Sequence, residues 1–196
     1  MTESRVPQQA RGEERRERIL RATLAVIGRS GIAAVTHRSV AEEAGVPLGS
    51  LTYWFGTKDD LLREALRRFV ADEAQRLQGV AEALGAGADP ATVAAEFASV
   101  LGSPPGPEQI AQFELYLEAA RNPALRDIAL ESFRAYEEVA VAALRAAGAT
   151  EPERLAPLFV SLADGMGLRR LSSGGTPPLD DILLELFRGV PGTRER

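Results

Sequence analysis

The residues between Val35 and Leu62, VTHRSVAEEAGVPLGSLTYWFGTKDDLL, gather hydroxyls, a guanidinium, an ammonium and an aromatic pair in one short span. Thr36, Arg38, Ser50, Thr52, Tyr53 and Lys58 can hydrogen-bond phosphate oxygens or base edges, and Gly49 leaves room for a backbone to come close. None of this is bond-making chemistry. The chain has no cysteine, which excludes disulfide frameworks, thiolate zinc sites and cysteine nucleophiles. Its one histidine, His37, has no partner histidine or carboxylate cluster, so it reads as an exposed or phosphate-near side chain. There is no nucleophile elbow and no Gly-rich phosphate loop. Neither an enzyme nor a cofactor is expected.

Charge points the same way. The net charge is −5, but eight arginines against three glutamates between Arg5 and Arg38 give that stretch +5. The rest of the chain therefore carries −10. A basic end on an acidic body offers one face to a polyanion. The competing reading is a charge-rich first helix that is merely solvated. The apolar runs are too short and too broken by charge to span a membrane, and the N-terminus lacks an apolar leader, so the expected location is the cytoplasm.

Stepping outward, apolar periodicity sets the elements that must position these residues. Ile19, Leu20, Thr23, Leu24 and Ile27 form one helical face, and the sequence predicts a helix from Glu13 to a stop near Gly28 or Gly31. Residues 1–12, with Pro7 and Gly12, read as a flexible arm. A short helix follows from His37 to Ala44, with Thr36 as its N-cap and Gly45 as its stop, and a third runs from Pro47 or Leu48 to Phe55–Gly56. Longer helices are predicted at 58–84, 90–101, 107–121, 124–147, 152–172 and 179–189. No strand pattern of useful length appears, so the fold class is all-α, with about nine helices. In the second and third helices Val40, Ala41 and Ala44 face inward, and Val46 and Leu51 close a small core. That is the layout of a helix-turn-helix.

The same residues resemble the DNA-binding signature of the TetR family. Its form is roughly Thr-x-x-x-Ile-Ala-x-x-Ala-Gly-Val, a small-residue helix ending in an aromatic pair, then Ser-Lys-x-x-Leu-Leu. Thr36, Val40, Ala41, Ala44, Gly45, Val46, Gly49, Ser50, Phe55, Lys58, Leu61 and Leu62 match it. The sequence departs from the pattern in having Thr52 and Trp54 where the family has tyrosine three residues before the phenylalanine and histidine one before it, with Tyr53 shifted between them, and Pro47 where it has a polar residue. The resemblance implies a helix-turn-helix DNA-binding domain at 13–57 and a larger ligand-binding and dimerisation domain at 58–196.

In that frame Arg38 and Lys58 are backbone contacts, while Ser50 and Thr52 touch base edges or thymine methyls; the duller reading leaves both facing water. Of Tyr53 and Trp54, one packs on the first helix and the other faces the groove, with Tyr53 favoured toward phosphate; the alternative is that both are core. Phe55 is core. The resemblance further implies a homodimer built by the last two long helices, through Leu158, Leu162, Gly165, Met166, Leu179, Leu183 and Leu186. It implies a ligand pocket walled by Phe97, Leu101, Phe113, Tyr116, Leu117, Phe133, Tyr136 and Phe159, with Glu114 and Asp164 as the acids turned inward. The expected partners are double-stranded operator DNA, a second copy of the chain and a small, apolar effector that releases a repressor from a palindromic site. An activator, or a regulator indifferent to ligand, has the same sequence signature.

Overall fold

Helical periodicity is realised in every regular element of the computed structural model, which describes residues 8–84, a few positions between 89 and 99, and 106–174. Seven α-helices occur among the described residues: α1 (Gln8–Ser30), α2 (His37–Ala44), α3 (Leu48–Trp54), α4 (Lys58–Leu84), α5 (Pro107–Arg121), α6 (Arg126–Ala146) and α7 (Pro152–Ser173). Short 3-10 turns stand at Ile32–Ala34 and Pro123–Leu125. The expected helices at 90–101 and 179–189 lie outside the described residues, the first but for a few positions, so the full count of about nine is not seen.

One expectation is corrected at α1, and one alternative is decided. The helix begins at Gln8, so residues 8–12 of the expected arm are helical. Gly12 does not break it, because a side chain packs there: a Cβ at Gly12 would lie 3.6 Å from the Trp54 ring. Of the two expected stops, Gly28 and Gly31, the second is the one used. The helix runs on to Ser30, and Gly31 ends it with φ 80°. Gly28 is needed for another reason, since a Cβ there would sit 2.2 Å from the Pro107 carbonyl oxygen at the start of α5.

The described residues divide into two compact units, one drawn from Met1–Phe69 with Gly106–Ala129, the other from Val70–Pro105 with Leu130–Arg196. The sequence boundary at 57/58 falls inside the first, because α4's first turns and α5 help enclose its core. Ile19, Leu20 and Ile27 of α1, Leu51 of α3, Phe55, Leu61, Leu62 and Leu66 of α4, and Leu115 of α5 are all fully buried. Apolar burial on this scale, about 1.5–3 kcal/mol per large side chain, is what fixes the short helices α2 and α3, which are too short to persist alone. In the second unit Ala140 and Leu144 of α6 pack with Ala156, Phe159 and Val160 of α7.

Candidate nucleic-acid interface

The reading head is built by local chemistry. Thr36 caps α2 reciprocally: the Ser39 amide donates to Thr36 Oγ1 at 3.0 Å, and the Thr36 amide donates to Ser39 Oγ at 2.9 Å. Such a capping box satisfies amides that the helix itself leaves open. Gly45 takes the left-handed conformation (φ 61°, ψ 41°), which a side chain would resist, and Val46 N–H then closes on the Ala41 carbonyl at 3.0 Å. Val40, Val46, Leu51 and Phe55 are buried beneath this turn. α3 therefore turns its other side outward, with Gly49, Thr52 and Tyr53 exposed and Ser50 half-buried.

The two aromatics differ in exposure, and neither is core. Tyr53 is 80% exposed and Trp54 38%, their rings meeting edge to face at 5.3 Å between centroids. Trp54 is the one beside α1. Between the first turns of α1 and the outer face of α3 runs a groove lined by Arg11, Gly12, Glu13, Arg15, Gly49, Ser50, Tyr53 and Trp54. Arg38, in the first turn of α2, is exposed. The Thr52 hydroxyl donates to the Leu48 and Gly49 carbonyls, each at 3.3 Å, and the Thr36 hydroxyl is held by the cap.

Three polar side chains sit differently from expectation, each captured by a distant backbone group. Lys58 Nζ donates to the Ile32 carbonyl at 2.8 Å, so the ammonium is tied to the turn before α2. Glu114, expected to face a ligand, instead accepts the Ile32 amide at 2.7 Å, with its carboxylate beside Gly31. Ile32 is thus held on both sides of its backbone, from α4 and from α5. His37 Nε2 lies 3.0 Å from the Phe55 carbonyl, which ties α2 to the end of α3. Sequence reasoning also missed Arg16, whose guanidinium pairs with Glu64 and lies 5.8 Å from the centre of the Phe55 ring. Only its spacing from the groove-lining Arg15 could have hinted that it faces inward.

The ligand-pocket residues fall in separate places. Phe113 and Tyr116 meet edge to face on α5, whereas Leu117 is 60% exposed. Phe133, Tyr136 and Phe159 join one apolar cluster of the second unit, and Met166, expected at the dimer interface, packs into that cluster from α7. Phe97, Leu101, Leu179, Leu183 and Leu186 lie outside the described residues. On α7 the exposed apolar side chains are Leu158, Leu162 and Leu168, with Gly165 open beside them. These positions recur every three or four residues and share one face.

Asp164, also on α7, is half-buried, and loss of solvation pushes its carboxyl up to about 6. A carboxyl raised in the folded state holds its proton more tightly than in the unfolded chain, so its ionisation opposes folding. The penalty is absent below about pH 4 and complete once pH has risen through 6. Asp164→Asn is expected to raise stability at pH 7 by about 1 kcal/mol, solvent screening taken into account, and to change nothing at pH 4. Thermal melts at the two pH values check this; equal gains at both would show that the charge is not the cause.

No group of three or more metal-ligating side chains occurs among the described residues, and none of their helices is long and apolar enough to cross a membrane. A short capped helix, a left-handed glycine turn and a second short helix with an exposed polar face define a helix-turn-helix regulator of transcription. Comparison with known proteins places it further. The family description "Bacterial regulatory proteins, tetR family" matches residues 19–65, and "Tetracyclin repressor-like, C-terminal domain" matches residues 88–192. The HTH-type transcriptional regulator BetI of Paraburkholderia xenovorans is 31% identical over 175 residues, covering 86% of this chain and 88% of its own. Among solved structures, a member of the TetR family from Streptomyces coelicolor A3 superposes with a TM-score of 0.73 at 36% identity, covering 91% of this chain and 99% of the other. The multidrug binding protein EbrR complexed with ethidium gives 0.71 at 36%, covering 90% and 99%, and EbrR is also known complexed with proflavin and malachite green. The chain belongs to the TetR family of transcriptional regulators.

Proposed function

We propose that this regulator is a repressor that grips a palindromic operator as a homodimer and is released by a small effector with an apolar body. The observation that carries the reading is the outer face of α3: Gly49, Thr52 and Tyr53 stand exposed on a helix whose inner face is pinned by Leu51 and Phe55. A rigid scaffold that leaves small and hydrogen-bonding side chains outward is suited to a groove. In this reading Ser50 and Thr52 touch base edges, and Arg38, Tyr53 and the first turn of α2 at Thr36 meet the backbone. Lys58 contributes mainly by holding Ile32.

One such module reaches few bases, so specificity calls for two copies on two half-sites. Leu158, Leu162 and Leu168 supply an apolar face of α7 suited to a twin, in keeping with the assignment of residues 58–196 to ligand binding and dimerisation. Leu158 is 66% exposed, an unfavourable place for leucine unless another surface covers it. The aromatic cluster around Phe133, Tyr136 and Phe159 supports the effector assignment. So do the complexes of the multidrug binding protein EbrR with ethidium, proflavin and malachite green. Release follows if the effector binds better to a dimer whose α3 helices are off the spacing of successive major grooves. Selection of bound duplexes from a random pool tests the proposal, and inverted repeats are the expected product.

A further inference from the structure

The arginines of α1 fall into two sets. Arg16 and Arg29 are engaged, with Glu64 and Glu43 respectively, and Glu17 is engaged by Arg68. Arg11, Arg15, Arg18 and Arg21 are exposed and make no hydrogen bond or ion pair among the described residues, and the first three of them stand nearest the start of the helix. The spacing of those three, by four and then three, puts them on one face of the helix. Glu14 stands four residues before Arg18, the arrangement in which helical side chains pair most readily, yet that pair is not formed.

Two of the three border α3. Arg11 and Arg15 line the groove whose other wall is Gly49, Ser50, Tyr53 and Trp54, with Glu13 as the one carboxylate on its rim. Meanwhile α2 and α3 contain a single arginine or lysine, Arg38, and Lys58 is held by the Ile32 carbonyl. A helix-turn-helix with one cation per copy is poorly matched to a duplex bearing a charge every ~1.7 Å of its axis.

We propose that the first turns of α1 are part of the DNA interface: the sugar–phosphate strand flanking the groove read by α3 lies along Arg11 and Arg15, with Arg18 on the next turn. This rests on the operator-binding reading above and extends it to a second element. Charge complementarity selects the occupant. The guanidinium fork binds phosphate oxygens in pairs, and three forks along one helix edge match a row of phosphates better than any single anionic side chain. Trp54 sets the geometry, since its ring against Gly12 fixes how far α1 stands from α3. These contacts carry no sequence information, so they strengthen binding to every duplex alike.

The test is the salt dependence of duplex binding for the wild type, for Arg11→Ala/Arg15→Ala, and for the control Arg126→Ala/Arg134→Ala, which removes the same charge from exposed positions on α6. A dimer losing four phosphate contacts should lose about 3 to 4 units of slope in a plot of log K against log salt, at ~0.9 per contact. The control should keep the wild-type slope, and the sequences selected by the α1 variant should be unchanged. Equal slopes for wild type and α1 variant would overturn the proposal while leaving the regulator reading intact. Equal flattening by the control would also overturn it, as an effect of net charge and not of this face. Binding of the wild type to vesicles of anionic phospholipid but to no duplex would overturn both.

Discussion

Gly49→Glu is expected to abolish operator binding while making the protein slightly more stable. Nothing lies within 4 Å of the position a Cβ would take at Gly49, so the new side chain meets no steric barrier. Glycine inside a helix costs ~0.5–1 kcal/mol relative to a residue with a side chain, and a carboxylate in the first turn of α3 suits the helix dipole. Stability should therefore rise by about 1 kcal/mol. The same carboxylate stands on the face assigned to DNA, where it meets phosphates of like charge. Juxtaposed like charges cost several kcal/mol, which is a loss of ~100-fold or more in affinity. Melting temperature and duplex affinity measured on one preparation separate the two effects. Undiminished binding to the selected duplex would take α3 out of the interface.

Gly28→Leu should act in the opposite sense, on stability and on every function that needs a folded chain. The 2.2 Å separation from the Pro107 carbonyl oxygen involves backbone on both sides, so no flexible side-chain end can move away. Either α1 bends or the start of α5 lifts from it, and Ile27 beside the contact is wholly buried. Overpacking of this kind costs about 3 kcal/mol, a fall of ~10 °C in melting temperature for a chain of this size. Gly28→Ala makes the sharper control. Helix propensity alone predicts a gain of about 1 kcal/mol from alanine, whereas the contact with Pro107 predicts a loss. Thermal or denaturant unfolding gives the sign, and a stabilised Gly28→Ala protein would show that α1 and α5 do not approach so closely.

These two glycines show what the sequence made legible. Gly45, Thr36 and the small core of Val40, Val46 and Leu51 interact within about a dozen residues, so spacing and residue type suffice to place them, and the structure agrees. The helix bounds at 58–84 and 107–121 were equally readable, because Thr57 and Asp60 cap one and Pro107 opens the other. Gly28 stayed an alternative stop beside Gly31 because its reason, the start of α5, is remote in sequence. Lys58, Glu114 and His37 were misplaced for the same cause. Their partners are the backbone of Ile32 and the carbonyl of Phe55, and a backbone group leaves no signature in residue type.

Tyr53 and Trp54 present a similar case. The sequence left open whether one packs and the other faces outward or both are core, because the neighbour of Trp54 on α1, Gly12, is remote in sequence. The helix start was misjudged through that same glycine, which reads as a breaker when its neighbour across the groove is unknown. The exposed leucines of α7 are a further instance. Leu158 and Leu162 are expected at the dimer interface from the resemblance alone, and their exposure in the single chain is what gives the proposed dimer physical content.

The most direct measurement of the central claim is the sequence and symmetry of duplexes recovered from a random pool by the wild-type protein. The proposed arrangement, two copies of α3 held apart by a shared body, predicts an inverted repeat whose half-sites are centred about 10 base pairs apart or a multiple of that, with at least two chains on each recovered duplex. Recovery of no preferred sequence, or of an asymmetric site occupied by a single chain, would contradict it.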